Sequence, residues 1–245
     1  RTLAIYFTAG AARGSTTTNY QYSANNGAWT NRPTGTTASP ITLTGLTNGT
    51  GYTIRIRAVT NAGNSDTSTA VTETPTAITV TGDATLTLTY GASASTGSYS
   101  ATGGTNTYTW SLGSSISGVT LSGTTVTAAN TLGAGTYTQT VRATDGNSQV
   151  GSKTLTITVN KASTSISISL PNSASNAALG GAVTITATVP RAGVVNFRLG
   201  GSTISGCGSA AAASTTATCS WTPGALGSVS LTAVFTPTDS SNFET

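Results

Sequence analysis

Apolar and polar residues alternate along this chain in many short runs. In RTLAIYFTAG, Leu3, Ile5 and Phe7 alternate with Thr2, Ala4, Tyr6 and Thr8, the period of a half-buried β-strand. The same alternation recurs at 85–90 (TLTLTY), 137–143 (YTQTVRA), 154–159 (TLTITV), 164–170 (TSISISL), 183–189 (VTITATV) and 229–235 (VSLTAVF). Between the runs lie clusters such as TDGNSQ and GASASTG, whose Gly, Asn, Asp and Ser are turn formers. No stretch has a helical period; AALGGAV and SAAAASTTA are Ala-rich, but short and broken by Gly, Ser or Thr. Many short strands with frequent turns predict an all-β chain of sandwiches.

Two linkers divide the pattern, one around Pro75 in ETPTAITV and one around Lys161 in VNKASTSI. They predict a tandem array of three β-sandwiches over 1–76, 77–161 and 162–245. Units this small bury only ~60–65% of the surface of their unfolded chain. Each core is therefore expected to be modest and to draw on neighbours, crosslinks or tight linkers.

The first unit carries the most specific motif. GLTNGTGYTIRIRAVTNAGNSDTS resembles the E–F corner, F strand and F–G turn of a fibronectin type III domain. The resemblance implies structural roles for Leu46 before the turn and for Tyr52 at the start of the strand, its hydroxyl bonding back to the turn backbone. Ile54 and Ile56 would then face inward with Tyr52, and Arg55 and Arg57 outward. TNYQYSANNGAWT is similar to strand C running into C′, with Tyr20 and Tyr22 at alternate positions. The family's A strand, normally ahead of RTLAIYF, is missing from this pattern. In the second unit, TLTLTYGASASTGSYSATGGTNTYTWSL followed by AGTYTQTVRATDGNSQVGSKTLTITV resembles the Ig-like or cadherin-like repeats of large bacterial surface proteins. The third resembles a further bacterial Ig-like repeat through TSISISL, ISGCGSAAAASTTATCSW and LTAVFTPTDSSNF, and stops at Thr245 before that family's last strand. Two explanations fit: these residues are an excerpt of a longer repeat protein, the favoured reading, or another chain donates the missing strands.

Composition sharpens this picture. Charged residues make up only 7% of the chain, against about 25% in an average globular domain, so Thr, Ser and Asn carry the hydration. Disorder, the rival reading of a Gly/Ser/Thr-rich chain, is disfavoured by the 36% of hydrophobic residues set in strand periods. The net charge of +4 comes from 10 basic and 6 acidic residues. Arg1, Arg13, Arg32, Arg55 and Arg57 gather in the first third without forming a run, which argues against nucleic acid as a partner. No apolar stretch approaches the ~20 residues of a membrane span.

Chemistry is sparse. Without His there is no Ser–His triad and no imidazole metal site, so no catalytic residue and no cofactor is expected. The carboxylates Asp66, Glu73, Asp83, Asp145, Asp239 and Glu244 are dispersed, and several lie at turns, where Asp commonly caps its own backbone. ATDGNSQ offers Asp145 and Asn147 as calcium oxygens, but Ca²⁺ takes six to eight, and a plain turn is the preferred reading: no metal is expected. Arg13-Gly14-Ser15 lacks the Asp of an integrin-type triplet. Asn48-Gly49-Thr50 is a glycosylation sequon in a tight turn. Lys153 and Lys161 read as strand-end or linker residues rather than isopeptide partners. Arg55 and Arg57 are candidate ligand contacts for carboxylate or sulfate, though outward arginines on a strand usually serve solvation.

Cys207 and Cys219 flank a candidate hairpin centred near Ala213 and are expected to face one another as a disulfide. Non-hydrogen-bonded antiparallel partners stand ~4.5 Å apart at Cα, at the short end of disulfide geometry. Such a bridge would pin one hairpin without tying the two sheets together; the competing reading is two buried free thiols. An oxidised pair implies an extracellular or exported setting.

Together these features predict a non-catalytic structural or adhesive segment of a large bacterial cell-surface or filament- or sheath-forming protein. Its expected partners are copies or flanking repeats of the same protein, with strand donation at the truncated ends, and a surface glycan. The alternative is an accessory region, spacer or carbohydrate-binding, of a secreted polysaccharide-degrading enzyme. For the latter Trp29, Trp110 and Trp221 are the candidate platforms, but one per unit they read better as core or edge packing.

Overall fold

The computed structural model describes residues 2–10, 14–33, 36–171 and 177–245. Arg1 and Arg13, with the start of the Arg13-Gly14-Ser15 triplet, lie outside the described residues. The described chain is all-β, and most of its buried apolar side chains fall into three clusters.

The first sandwich comprises β1 (Leu3–Ile5), β2 (Thr17–Ala24), β3 (Thr30–Asn31), β4 (Ile41–Leu43), β5 (Tyr52–Thr60), β6 (Gly63–Asn64) and β7 (Val71–Glu73). One sheet is the antiparallel pair β1–β4; the other runs β3-β2-β5, with β6 and β7 both on the far side of β5. The turn after β2 uses Asn25 and Asn26 at φ 50° and 57°, a region Asn enters more readily than other side chains. Ile5, Tyr20, Ile41, Leu43 and Ile54 form the core, and Leu46, Tyr52 and Ile56 pack against it.

The second sandwich contains β8 (Thr79–Gly82), β9 (Thr85–Thr89), β10 (Ser95–Thr102), β11 (Tyr108–Leu112), β12 (Val119–Ser122), β13 (Thr125–Ala128), β14 (Gly135–Asp145) and β15 (Val150–Asn160). Its sheets are β12-β13-β10-β8 and β11-β14-β15-β9, with β9 parallel to β15. The chain therefore changes sheet between β8 and β9. There Asp83 Oδ2 accepts the Ser98 N–H at 2.9 Å, and the Tyr99 hydroxyl donates to Asp83 O. GASASTG is only partly a turn, because β10 already begins at Ser95.

The third sandwich contains β16 (Ser167–Ser169), β17 (Val183–Thr188), β18 (Gly193–Leu199), β19 (Ser202–Thr203), β20 (Ala210–Ala212), β21 (Thr216–Trp221) and β22 (Leu231–Pro237). One sheet is β16-β17-β21; in the other, β18 pairs with β19 and β20 on one side and β22 on the other.

This topology corrects the expected hairpin around Ala213. β20 pairs with β18 and β21 with β17, so the two strands belong to opposite sheets and Ala213–Thr215 cross between them. Ser and Thr at a turn mark a change of direction, but they do not say whether the chain returns in the same sheet. The disulfide forms, with Cα atoms 5.6 Å apart, and its role is the reverse of a hairpin pin. Cys207 lies in the β19–β20 connection, where its carbonyl accepts the Phe197 N–H of β18 at 3.1 Å, while Cys219 sits on β21 opposite Ile185. The bridge ties the two sheets through the core.

Candidate functional site

Several of the polar groups able to do chemistry are bound up in the fold. In the β14–β15 turn, Asp145 Oδ1 accepts the N–H groups of Asn147 and Gln149, each at 2.9 Å, and Oδ2 accepts that of Thr105 at 3.1 Å. This carboxylate is buried, and backbone donors occupy the oxygens a cation would need. Gly104 stands beside it at φ +61°, where an added Cβ would meet Asp145 Oδ2, so both the conformation and the space require glycine. Among the described residues no group of three or more His, Cys, Asp or Glu side chains converges.

In the first sandwich Thr47 N donates to the Tyr52 hydroxyl at 2.9 Å, fastening the turn after β4 to the start of β5. Leu46 packs on the core beside it. The two outward arginines of β5 have internal partners. Arg55 Nη1 donates to Ser68 O at 3.2 Å, and Arg57 Nε donates to Gln21 Oε1 at 2.7 Å with its guanidinium 4.3 Å from the centre of the Trp29 ring. A guanidinium has five N–H donors, so neither is exhausted, but each is anchored by a bond within the sandwich. Trp29 thereby serves as a lid for Arg57. Trp110 packs on the second core, 6.5 Å from Tyr108. Trp221 packs on the third core and also borders two open clefts, of about 390 and 510 Å³.

A further concentration of polar contacts lies where the second and third sandwiches meet, in the segment DSSNF that follows β22. Asp239 Oδ2 accepts from Asn242 Nδ2 at 2.9 Å, which turns Asn242 Oδ1 outward to accept the Ala134 N–H of the second sandwich at 2.7 Å. Phe243 is buried, with its ring edge-on to Tyr90 at 5.3 Å and beneath the Arg191 guanidinium, 3.2 Å from the ring centre. The same segment grips the linker. Ala162 N donates to Asn242 O, Glu244 N to Ala162 O, Lys161 Nζ to Ser240 O at 2.6 Å, and Thr164 Oγ1 to Glu244 O at 3.0 Å. Sequence reasoning singled out Asp239 and Lys161 without linking them; the dense D-S-S-N-F run was the signal it had.

The first junction is built differently. Pro75 O accepts the Gly49 N–H, and Thr76 Oγ1 accepts the Gly104 N–H at 3.1 Å, so each bond runs from the linker to one sandwich. Between the two lies a cleft of about 260 Å³ bordered by Thr2, Tyr6, Glu73, Thr105 and Gln149. Thr2 Oγ1 and Gln149 Oε1 are buried there with no hydrogen-bond partner.

Comparison with known proteins agrees with the first sandwich. A family model described as fibronectin type III domain matches residues 5–74. No curated protein matches the chain in sequence. Among solved structures, the fibronectin(III)-like modules of Clostridium thermocellum CbhA are 13% identical over 65% of this chain and 86% of theirs, at a TM-score of 0.27. The FN1–FN3 domains of chicken CNTN1 are 9% identical over 96% and 94%, at 0.26. SGBP-B of Bacteroides ovatus, solved with a mixed-linkage heptasaccharide, is 15% identical over 97% and 58%, at 0.22. Scores this low bear on neither arrangement nor ligand. The assignment rests on the family match and the Tyr52 corner: residues 5–74 are a fibronectin type III domain, a non-catalytic type of module.

Proposed function

We propose that this chain is a non-catalytic structural or adhesive segment of a large bacterial cell-surface or filament-forming protein. The observation that carries the reading is the tandem of small sandwiches, one of them a fibronectin type III domain, in which Asp145, Asp239, Arg55 and Arg57 are engaged in holding the fold. A cross-sheet disulfide suits an oxidising, extracellular compartment, and no helix of the described residues is long and apolar enough to cross a membrane. A surface carrying few charges permits close side-by-side packing without strong repulsion. Self-association belongs to the same proposal. Among the described residues β1 pairs only with β4, and β22 only with β18, which leaves backbone on their outer edges open to strand addition.

The test is immunogold labelling of intact source cells with antibody against this segment, together with the intact mass of the native polypeptide. Surface label on a polypeptide far heavier than 24.2 kDa supports the reading; label confined to the cell interior overturns it. Sedimentation of the chain as a concentration-independent monomer would remove the self-association part.

The clefts beside Trp221 favour a second reading, an accessory carbohydrate-binding region of a secreted polysaccharide-degrading enzyme. Calorimetric titration with neutral oligosaccharides, repeated on folded Trp221→Ala, decides it: heat that vanishes in the variant supports the reading, and no heat in the parent chain ends it.

A further inference from the structure

We infer that the DSSNF segment is an interdomain clamp: the end of the second sandwich is a receptor surface for an Asp-x-x-Asn-Phe segment of the unit that follows it, making those two sandwiches one stiff body from which the first swings as a separate one. The inference stands on junction geometry and is independent of the adhesive reading.

The receptor surface is made by the end of β9 and the start of β14. Tyr90 follows β9 directly and is fixed by its N–H bond to Asn160 O at 3.0 Å. Gly133 and Ala134 precede β14, and the Tyr137 hydroxyl donating to Gly133 O holds that backbone in place. An added Cβ on Gly133 would stand 3.3 Å from Asn242 Oδ1, so the close approach of the amide depends on a small residue there. On the other side, Asp239 aims the Asn242 amide and Arg191 backs the Phe243 ring. Polar and aromatic contacts therefore converge from two separate sandwiches, with partners on both sides holding each in position.

A linker alone fixes two modules only as well as its own torsions allow. The second junction adds a direct hydrogen bond, Ala134 to Asn242, a direct ring contact, Tyr90 to Phe243, and a parallel bridge between Ala162 and Phe243. The first junction has linker bonds and a cleft with unpartnered Thr2 and Gln149 oxygens. Relative motion of domains is the default unless an interface restrains it, and only the second junction shows such a restraint among the described residues.

The experiment is pulsed electron–electron resonance on the full chain, with nitroxide labels carried by unnatural amino acids so that the disulfide is left alone. Labels replace the exposed residues Thr67, Thr120 and Thr232, one in each sandwich. The expected result is a single narrow distance peak for 120–232, a broad distribution for 67–120, and loss of the narrow peak in Asn242→Ala. Tyr90→Ala removes the ring contact from the second sandwich's side without altering the third, and is expected to broaden 120–232 as well. This keeps the test open should Asn242→Ala disturb the third sandwich. A broad 120–232 distribution in the unaltered chain overturns the proposal, as do equal widths at the two junctions or a narrow peak that survives in both variants.

Discussion

In the second sandwich, β14 and β15 pair continuously from Gly135 against Val159 to Thr144 against Val150. In the first, the sheet behind the core is β1 against β4, three paired positions from Leu3–Leu43 to Ile5–Ile41. The cores follow suit. Val126, Val141, Leu155 and Ile157 are fully enclosed in the second, beside nine further buried residues; the first has Ile5, Tyr20, Ile41, Leu43 and Ile54 among the described residues. Burial contributes roughly 25 cal/mol per Å² of apolar surface, so the first sandwich has the smaller margin over chain entropy. It spends polar bonds on compensation: the Tyr52 corner, and the Arg57–Gln21 bond beneath Trp29. The lesson is that units of similar length in one chain hold together by different means, long strand pairing in one and local fastening in the other.

The largest test of this difference is core truncation. Ile54→Ala and Ile157→Ala each remove a fully buried side chain, and each is expected to cost about 2–5 kcal/mol. The same loss should abolish the folded first sandwich in mild denaturant while the second persists. Each sandwich contains one of the chain's three Trp residues, so variants retaining Trp29 or Trp110 alone report each transition by fluorescence. The comparison breaks if Ile157→Ala unfolds the second sandwich at lower urea than Ile54→Ala unfolds the first.

The third sandwich lies between these extremes, and its disulfide measures how far a crosslink substitutes for strand length. The bridge spans a sequence separation of 12; closing a loop of that size stabilises by about 3 kcal/mol in the chain-entropy model. Replacing both cysteines by Ser should lower the Trp221-reported midpoint accordingly and leave the Trp29-reported midpoint in place. Because both sulfurs lie in the core and join opposite sheets, the loss should exceed that model if packing between the sheets also loosens.

Sequence reading recovered what period and turn chemistry encode, and missed what depends on sheet assignment. TLTLTY, YTQTVRA and TLTITV became β9, β14 and β15 because one face of each is core and the other solvent. Tyr52 stood out because a Leu, a Gly turn and a Tyr at fixed spacing demand a particular corner. The cross-sheet path of Cys207 and Cys219 was not legible, since local spacing cannot tell a return in one sheet from a step to the other. β8 escaped notice because TVTG has a single buried residue, Val80. The clamp escaped because Asn242 and Phe243 act on Ala134 and Tyr90, more than a hundred residues earlier in the chain.

A smaller test addresses the compensation in the first sandwich. Tyr52→Phe keeps the ring on the core but removes the acceptor for the Thr47 N–H. The expected loss is about 1 kcal/mol, read at Trp29 alone. No change would mean that Leu46 packing holds the corner without the hydroxyl.

The smallest effect bears on the second sandwich and runs against its advantage. Tyr99 is buried, and its pKa is raised above 10.0, chiefly by burial and secondarily by the nearby charge of Asp83. A phenol whose pKa is raised on folding keeps its proton longer in the native chain than in the unfolded one. The neutral phenol's contribution is thus fully present below pH 10 and is lost as pH rises from there through the native value. Alkaline titration should therefore narrow the gap between the two sandwiches, lowering the Trp110-reported stability above pH 10. Tyr99→Phe should flatten that decline, at the cost of the hydroxyl bond to Asp83 O at every pH. Asp83→Asn discriminates between the two causes. Since burial is the larger, most of the alkaline decline should survive in that variant; a decline that disappears with the Asp83 charge would reverse their order.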